Sequence, residues 1–357
     1  MSHRPVGGTF RRSIAVALPA VAAAIAPASI PSALAQPADV YAGKTLQIVA
    51  GTAAGGGHDI FARMLARHLP RHIPGSPAVI VQNMPGAGGK RATDYIYNAA
   101  PKDGTTIGGV FPGAIIGPLL EDGSKERYDP LKFRYIGSGD TDTRICATLK
   151  SSKIKTFKDL FALAQPAVFG SSAPGGSTHD YAHMAANLAG AKVRVVTGYQ
   201  GTPPITLAME RGEVDGLCGW GWSIFKSERT NWKAADQFNF LVQMSIKPEP
   251  ELTALGVPDF GTFVTGDKKK AAELIISQQA FSRPYIAPAE TPADRVEILR
   301  KAFMAALADK ELVAEFARIN ITNKPIAGAT LQTLIARVFA TPQDIVTLAK
   351  AAQKPAK

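Results

Sequence analysis

The sequence contains little cysteine and few charged residues. It has two cysteines in 357 residues, and Asp, Glu, Lys and Arg make up 19% of the chain, below the ~25% typical of soluble domains. The cysteine count excludes a disulfide-dense scaffold. The 46% content of apolar residues excludes a disordered chain, which lacks enough apolar surface to form a core. At roughly 150 residues per domain, the length predicts two domains.

Long apolar runs and basic stripes are also missing. After residue 35 no run of 18 apolar residues occurs, so the sequence predicts no membrane-spanning helix there. The net charge is +11, but Lys and Arg are scattered, and their densest run is residues 268–270 beside Asp267. Nucleic-acid binding usually needs a concentrated basic patch, so we expect no nucleic-acid partner. The mild basic excess suits a small anionic ligand.

The first 35 residues have the pattern of a secretory signal. Arg4, Arg11 and Arg12 precede an uncharged, Ala-rich run over residues 14–26. Small residues stand three and one positions before a predicted cleavage after Ala35. The run is too short to span the ~30 Å of a bilayer core, which predicts an exported, periplasmic protein. The adjacent arginines partly resemble a twin-arginine signal, so the Sec and twin-arginine routes both stay open.

Strands alternate with glycine-rich turns and helices in the mature chain. A strand over residues 45–50 precedes the turn 51–57, and a strand over 77–82 precedes the turn 83–89. A third strand, 105–111, again ends at Pro-Gly. Each turn leads into a helical pattern, and this rhythm predicts a parallel sheet covered by helices.

The rhythm restarts at residue 167 and gives a second, smaller sheet. Strands over 167–170 and 192–197 are again followed by Gly-rich loops. The last hundred residues read as helices, with Pro292 and Pro342 predicted at first helical positions. We therefore predict an α/β protein with two lobes and a ligand cleft between them. The predicted boundaries are 1–35 for the signal peptide, 36–140 plus 250–357 for lobe 1, and 141–249 for lobe 2.

The glycine turns indicate the kind of ligand. In open α/β sheets, ligands bind beyond the carboxyl ends of the strands. The turns lie at those ends and precede helices, whose N-terminal amides and dipoles favour anions. Glycine lets the backbone approach the ligand closely. The pattern therefore predicts a site for a carboxylate.

Motifs for phosphate binding and acyl transfer are incomplete. Met84 and Arg91 stand where a P-loop would need Gly and Ser or Thr. Neither a G-x-G-x-x-G nor a G-x-S-x-G pattern is complete. An exported hydrolase that uses Ser171 or Ser177 with His179 stays an alternative to a binding protein, but we expect no catalytic residues and no cofactor.

Two further residue pairs allow more than one interpretation. His68 and His72 are four residues apart but lack a third metal ligand in sequence, so we interpret them as a polar helix face and expect no metal site. Cys146 and Cys218 lie in strand-like segments. In an oxidising compartment the two cysteines are either joined by a disulfide or remain as buried free thiols.

Aromatic residues beside glycines follow predicted strand ends. Trp220 and Trp222 either line a pocket or pack between elements. Tyr199 and Gln200 lie between two glycines in a similar loop, and Phe111 ends the third strand. We count all five as candidate ligand contacts.

Several segments together resemble the solute-binding receptors of tripartite tricarboxylate transporters, also called Bug-type receptors. The first two segments contain the glycine turns, and the second has the pattern N-x-P-G-A-G-G. The similar segments are residues 49–63, 81–89, 99–106, 170–179, 212–216 and 287–292. They occur in the family's order and cover most of the mature chain.

The resemblance implies a monomeric receptor with a two-lobe, Venus-flytrap, type II-like periplasmic-binding-protein fold. Such a receptor captures a carboxylate by lobe closure and delivers it to membrane transporter subunits. A ligand-sensing partner of a membrane sensor would have the same fold and stays an alternative. The matched positions that the resemblance implies as ligand contacts are Thr52, Ala53, Gly55, Gly56, Gly57, Asp59, Pro85, Gly86, Ala87, Gly88, Ser171, Ser172, Thr178, His179 and Asp215.

The sequence departs from the family after the Val-Asp pair of the second lobe. There the segment 218–222 contains two tryptophans where a small or polar stretch is usual. This difference favours an aromatic or apolar-tailed acid as the ligand, and a dicarboxylate stays possible.

Overall fold

The structure is a computed structural model that describes most of the chain after residue 38. The predicted signal peptide, its cleavage point and the candidate residues Gly56 and Gln200 lie outside the described residues. The described ranges are 39–55, 57–121, 126–172, 175–199, 201–228, 234–319 and 321–355.

Eleven strands form two sheets within these residues. The strands are β1 Thr45–Ala50, β2 Ala78–Asn83, β3 Thr106–Gly109, β4 Arg134–Ser138, β5 Arg144–Leu149, β6 Ala167–Gly170, β7 Val193–Val196, β8 Gly216–Gly221, β9 Phe238–Met244, β10 Pro284–Ala287 and β11 Ile326–Ala327. The first sheet has the order β11-β4-β10-β3-β1-β2, and the second has the order β7-β6-β8-β5-β9.

Both sheets are mixed. In the first, β1 pairs in parallel with β2 and β3, while β10 and β11 run antiparallel to β4. In the second, β6 is parallel to β7 and β8, while β5 is antiparallel to β8 and β9. The predicted parallel arrangement therefore holds for the strands that precede glycine turns. Strands β10 and β5 lie inside the two sheets and run antiparallel to both of their neighbours.

Fourteen α-helices surround the sheets in the described part of the chain. They are α1 Gly57–His68, α2 Lys90–Asn98, α3 Pro112–Leu120, α4 Asp159–Ala162, α5 Ser177–Ala189, α6 Thr202–Glu210, α7 Trp222–Glu228, α8 Ala234–Gln237, α9 Pro250–Ala254, α10 Gly266–Ile276, α11 Ala293–Leu307, α12 Lys310–Arg318, α13 Gly328–Phe339 and α14 Gln343–Ala352. Among the described residues, none of these helices is both long and apolar enough to cross a membrane.

Helix α1 shows how the sequence pattern produces an element. Phe61, Met64, Leu65 and His68 recur at helical spacing and are buried, so one face packs on the sheet.

The positions of the prolines at the starts of α11 and α14 differ by one residue from the prediction. Pro292 and Pro342 have extended ψ angles of 141° and 144°, so each is the N-cap and its helix begins one residue later.

The core does not follow the predicted lobe boundaries everywhere. One buried cluster joins Phe169 of β6 and Met184 of α5 with Ile275 of α10 and Ile345 of α14. Helices α10 and α14 lie in the range predicted for lobe 1. They share this buried cluster with elements from the range predicted for lobe 2. The division into two lobes stays a prediction, and residues 39–357 form one compact unit.

Candidate functional site

Three glycine turns meet at one edge of the first sheet. Strands β1, β2 and β3 are parallel, so their C-terminal ends share an edge. Gly51 N donates to Gly109 O at 2.9 Å, and Met84 N donates to Ala50 O at 2.8 Å. A Cβ added to Gly51 would lie 3.3 Å from Gly89 Cα. The turns after the three strands therefore pack directly against one another.

Asp59 holds the first turn in place. Its side chain is buried and accepts hydrogen bonds from Gly55 N at 2.8 Å, Arg63 Nε at 3.0 Å and Asn83 Nδ2 at 2.8 Å. Burial raises the pKa of Asp59, but the bonds from Arg63, Gly55 and Asn83 outweigh it and leave the pKa below its usual value. With three donors on its carboxylate, Asp59 positions the turn that contains Thr52, the sequence-predicted contact beside it.

The second turn is exposed and has an unusual backbone. Pro85, Gly86, Ala87 and Gly88 all face solvent. Gly86, Ala87 and Gly88 have positive φ angles of 137°, 46° and 62°. A left-handed alanine is uncommon and is typical of functional loops. The turn thus presents main-chain groups at the sheet edge, as a carboxylate site requires.

Phe111 and His58 lie between the turns. The Phe111 ring packs on Gly89, where an added Cβ would come within 2.7 Å of the ring, and its centre is 4.2 Å from the His58 ring. His58 Nε2 lies 3.2 Å from Ser282 O. Burial, together with the nearby charge of Arg283, lowers the pKa of His58 to about 3. His58 is therefore neutral at pH 7, and its Nε2–H donates to Ser282 O.

Neither His58 nor Arg283 is among the ligand contacts predicted from the sequence. Arg283 NH1 donates to Gly57 O at 2.9 Å, beside the start of α1. His58 stands next to a glycine turn, which is a signal that could have marked it. Arg283 is 226 residues from Gly57 along the chain, and no local pattern predicts this contact.

The second sheet repeats the arrangement at the ends of β6 and β7. Ser171 N donates to Val196 O at 2.8 Å, and Tyr199 N donates to Ser171 O at 3.2 Å. Thr178, in the first turn of α5, accepts from Ser172 N at 2.8 Å, and the two hydroxyl oxygens lie 2.9 Å apart. Four sequence-predicted residues are therefore brought together at this loop.

His179 lies inside this part of the protein. It is 2% exposed, its Nδ1 lies 2.9 Å from Asp180 Oδ1, and its ring centre is 4.4 Å from that of His183. Burial raises the pKa of Asp180 and lowers the pKa of His183 to about 4. The His179 ring is therefore packed inside the protein beside Asp180 and His183.

The two tryptophans are core residues, which corrects the prediction that they contact a ligand. Trp220 is fully buried and Trp222 is 5% exposed. Both pack edge or face on Phe225, and Trp222 Nε1 donates to Glu251 Oε2 at 2.7 Å. Strand β8 is buried on both faces, so the side chain of Trp220 enters the core whichever face it points to. Trp222 is the first residue of α7, directly after this strand. The case for an aromatic ligand that rested on these rings therefore fails.

Asp215 and the cysteines have structural positions. Asp215 Oδ2 accepts from Val168 N at 2.7 Å and Asp215 N donates to Val168 O, which joins β6 to the segment before β8. Cys146 of β5 and Cys218 of β8 form a disulfide between neighbouring strands.

Two crossing segments connect the sheets. Residues 139–142 run beside residues 279–283: Gly139 N donates to Arg283 O at 2.9 Å, and Asp142 N donates to Gln279 O at 3.2 Å. The His58–Ser282 bond ties the first-sheet turns to this crossing. The two sheets are therefore linked by two neighbouring segments that are hydrogen-bonded to each other.

Two other features lie apart from the glycine turns. His68, Asp309 and Glu311 offer ligand atoms within 4.8 Å of one another, but Arg71 pairs with both acids. A cavity of about 610 Å³ lies between α10, α13 and α14. Neither feature adjoins the candidate carboxylate site.

Comparisons with known proteins agree with this architecture. No family model matches the chain. The chain is 24% identical, over 300 residues, to a UPF0065 protein of the TAR-I ttuE-ttuC' intergenic region from Agrobacterium vitis. That alignment covers 80% of this chain and 78% of the relative.

Solved receptors share the fold. A TctC solute-binding protein from Polaromonas matches with a TM-score of 0.66 and 19% identity, over 86% of this chain and 99% of its own. The periplasmic binding protein BugD matches at 0.58 and 20%, over 87% and 98%. A Rhodopseudomonas palustris protein, MatC with bound malate, matches at 0.57 and 18%, over 85% and 99%. The predicted α/β periplasmic-binding-protein fold is confirmed, and so is the similarity to TctC and Bug proteins.

Proposed function

We propose that this chain is a periplasmic receptor of the Bug type, which captures an organic carboxylate and delivers it to a tripartite tricarboxylate-type membrane transporter. The observation that carries the proposal is the meeting of three glycine turns at the C-terminal edge of β1, β2 and β3. Ligands of open α/β sheets bind at such an edge, and amides at helix starts favour anions.

The similar proteins support the same ligand class. MatC holds malate, and a second R. palustris protein, 20% identical with a TM-score of 0.59, is solved with adipate. Export is supported by the signal-like N-terminus and by the Cys146–Cys218 disulfide, since disulfides persist in oxidising compartments.

Ligand capture requires no chemistry on the acid. The anion docks on the first-sheet turns, and groups at the Ser172–Thr178 loop add contacts when the two halves close about the crossing segments. Contacts that exist only in the closed state shift the balance between open and closed forms. The acid then leaves the receptor unchanged, which separates this function from that of an exported hydrolase.

A thermal-shift screen tests the proposal. The panel contains malate, adipate, citrate and benzoate. A ligand that binds only the folded protein adds about 2.7 kcal/mol of stability at a hundredfold excess over Kd, so at least one acid should raise the melting temperature. The proposal fails if no acid in the panel does so, or if the acid that does is consumed.

A further inference from the structure

Arg283 is a half-buried cation between the first glycine turn and the crossing segments. Its Nη1 donates a hydrogen bond to Gly57 O. Its guanidinium carbon also lies 5.1 Å from the centre of the Phe61 ring. Its backbone is fixed through the bond from Gly139 N to Arg283 O. The side chain is therefore held against the first turn of α1.

The charge of Arg283 has no acidic partner in the described part of the chain. No carboxylate oxygen there forms an ion pair with it, and its Nε is buried without a hydrogen-bond partner. Burial raises the pKa of Asp140 to about 6, and the nearby charge of Arg283 only partly opposes this rise. The Asp140 carboxylate accepts its hydrogen bonds from Thr322 Oγ1 and Lys324 N. A buried donor left unpaired is unfavourable, so the guanidinium has hydrogen-bonding capacity that the protein itself does not use.

Several other cations around the loops form ion pairs with acids. The pairs are Arg63–Asp59, Lys90–Glu121, Lys90–Glu126 and Arg144–Asp142. The loop residues outside the described ranges, 56, 173–174 and 200, are Gly, Ala, Pro and Gln and carry no charge. Arg283 thus differs from these paired cations, whereas Arg91, which packs against Gly86, also forms no ion pair among the described residues.

The surroundings of Arg283 add to the positive potential. It bonds to Gly57, the first residue of α1, where the helix dipole places its positive end. Asp59 is the acid nearest this helix start in sequence, and three donors already use its carboxylate. An anion placed here gains from the guanidinium and the helix together.

We propose that Arg283 binds the carboxylate of the ligand, with the charged end of the acid at the start of α1 beside the crossing segment. This inference rests on the proposed function and names the residue that selects a charged acid over a neutral analogue. The planar guanidinium suits a carboxylate, to which it donates charge-assisted hydrogen bonds.

The test compares variants at one position by isothermal titration. The probes are adipate, malate and adipamide, the uncharged diamide of adipate. Arg283→Gln should weaken binding of the acids by about 10- to 100-fold and should abolish the preference for adipate over adipamide. Arg283→Lys, which keeps the charge but not the fork geometry, should lose less affinity. Arg127→Gln is the matched control, because Arg127 is 82% exposed, and should bind like the wild type.

The outcomes separate the inference from the proposed function. If Arg283→Gln binds acids as tightly as the wild type and still rejects adipamide, the role of Arg283 is wrong, and the receptor function stands. If the wild type binds none of the acids in the panel, both proposals are wrong. Arg283→Met, which keeps its stem against Phe61, decides the matter if the Gln variant melts early: retained acid selectivity overturns the inference, and lost selectivity supports it.

Discussion

At the scale of residues, the fold keeps two histidines neutral, of which His183 is buried and His58 is half-buried. Burial lowers the pKa of His58 to about 3, assisted by the charge of Arg283. Burial lowers the pKa of His183 to about 4, assisted by His179. In the unfolded chain both would take up a proton near pH 6.5. Acidification therefore favours the unfolded state through each of them.

His58→Phe should make stability less sensitive to acid. Between pH 7 and pH 5 the unfolded wild type binds a proton at His58 that the folded protein does not. The free energy of unfolding therefore falls by up to about 2 kcal/mol through this group. The variant keeps a ring beside Phe111 but lacks this loss. Urea unfolding of both proteins at the two pH values measures the difference, and equal pH dependence would contradict a half-buried His58 that stays neutral.

At the scale of elements, close backbone approach explains which glycines matter. Gly219 of β8 and Gly212, which follows α6, both have a φ of 73°. A Cβ on Gly219 would overlap the Ser177 carbonyl at the start of α5, whereas nothing lies within 4 Å of one on Gly212. Gly219 therefore lets α5 begin directly above the second sheet, where the Ser172–Thr178 loop forms.

The two glycines supply a matched pair of variants. Gly212→Ala should cost about 1–2 kcal/mol of stability, the cost of a left-handed alanine. Gly219→Ala carries the same backbone cost and should lose a further ~1–3 kcal/mol from steric overlap. Denaturant unfolding of both variants gives the comparison. Equal losses would show that α5 does not pack on Gly219 as described.

The disulfide joins two elements that are far apart in sequence. Cys146 and Cys218 are separated by 72 residues, so the bond limits the freedom of a long loop in the unfolded chain. Reduction should lower the free energy of unfolding by about 2–5 kcal/mol. Unfolding with and without reductant measures this effect. A Cys146→Ala/Cys218→Ala double variant should not respond to reductant, and a wild type that does not respond either would contradict the bond.

At the scale of the whole molecule, local patterns predicted the strand–turn–helix units and the fold class. Glycine turns at strand ends predicted that Thr52, Gly86 and Ser172 lie in loops that follow parallel strands, as they do in the structure. Long-range contacts were not predictable from local patterns. Arg283 lies in the crossing segment 279–283 and contacts Gly57 of the first turn, which is 226 residues away along the chain. Trp220 faces inward because β8 is covered on both faces.

The central claim is that the cleft binds an organic carboxylate without changing it. Equilibrium dialysis of the protein against labelled malate, adipate, citrate and benzoate, followed by chemical identification of the recovered label, tests this directly. The account predicts that one of these acids binds saturably, with one molecule per chain, and is recovered intact. Failure of all four acids to bind, or recovery of a different compound, would contradict it.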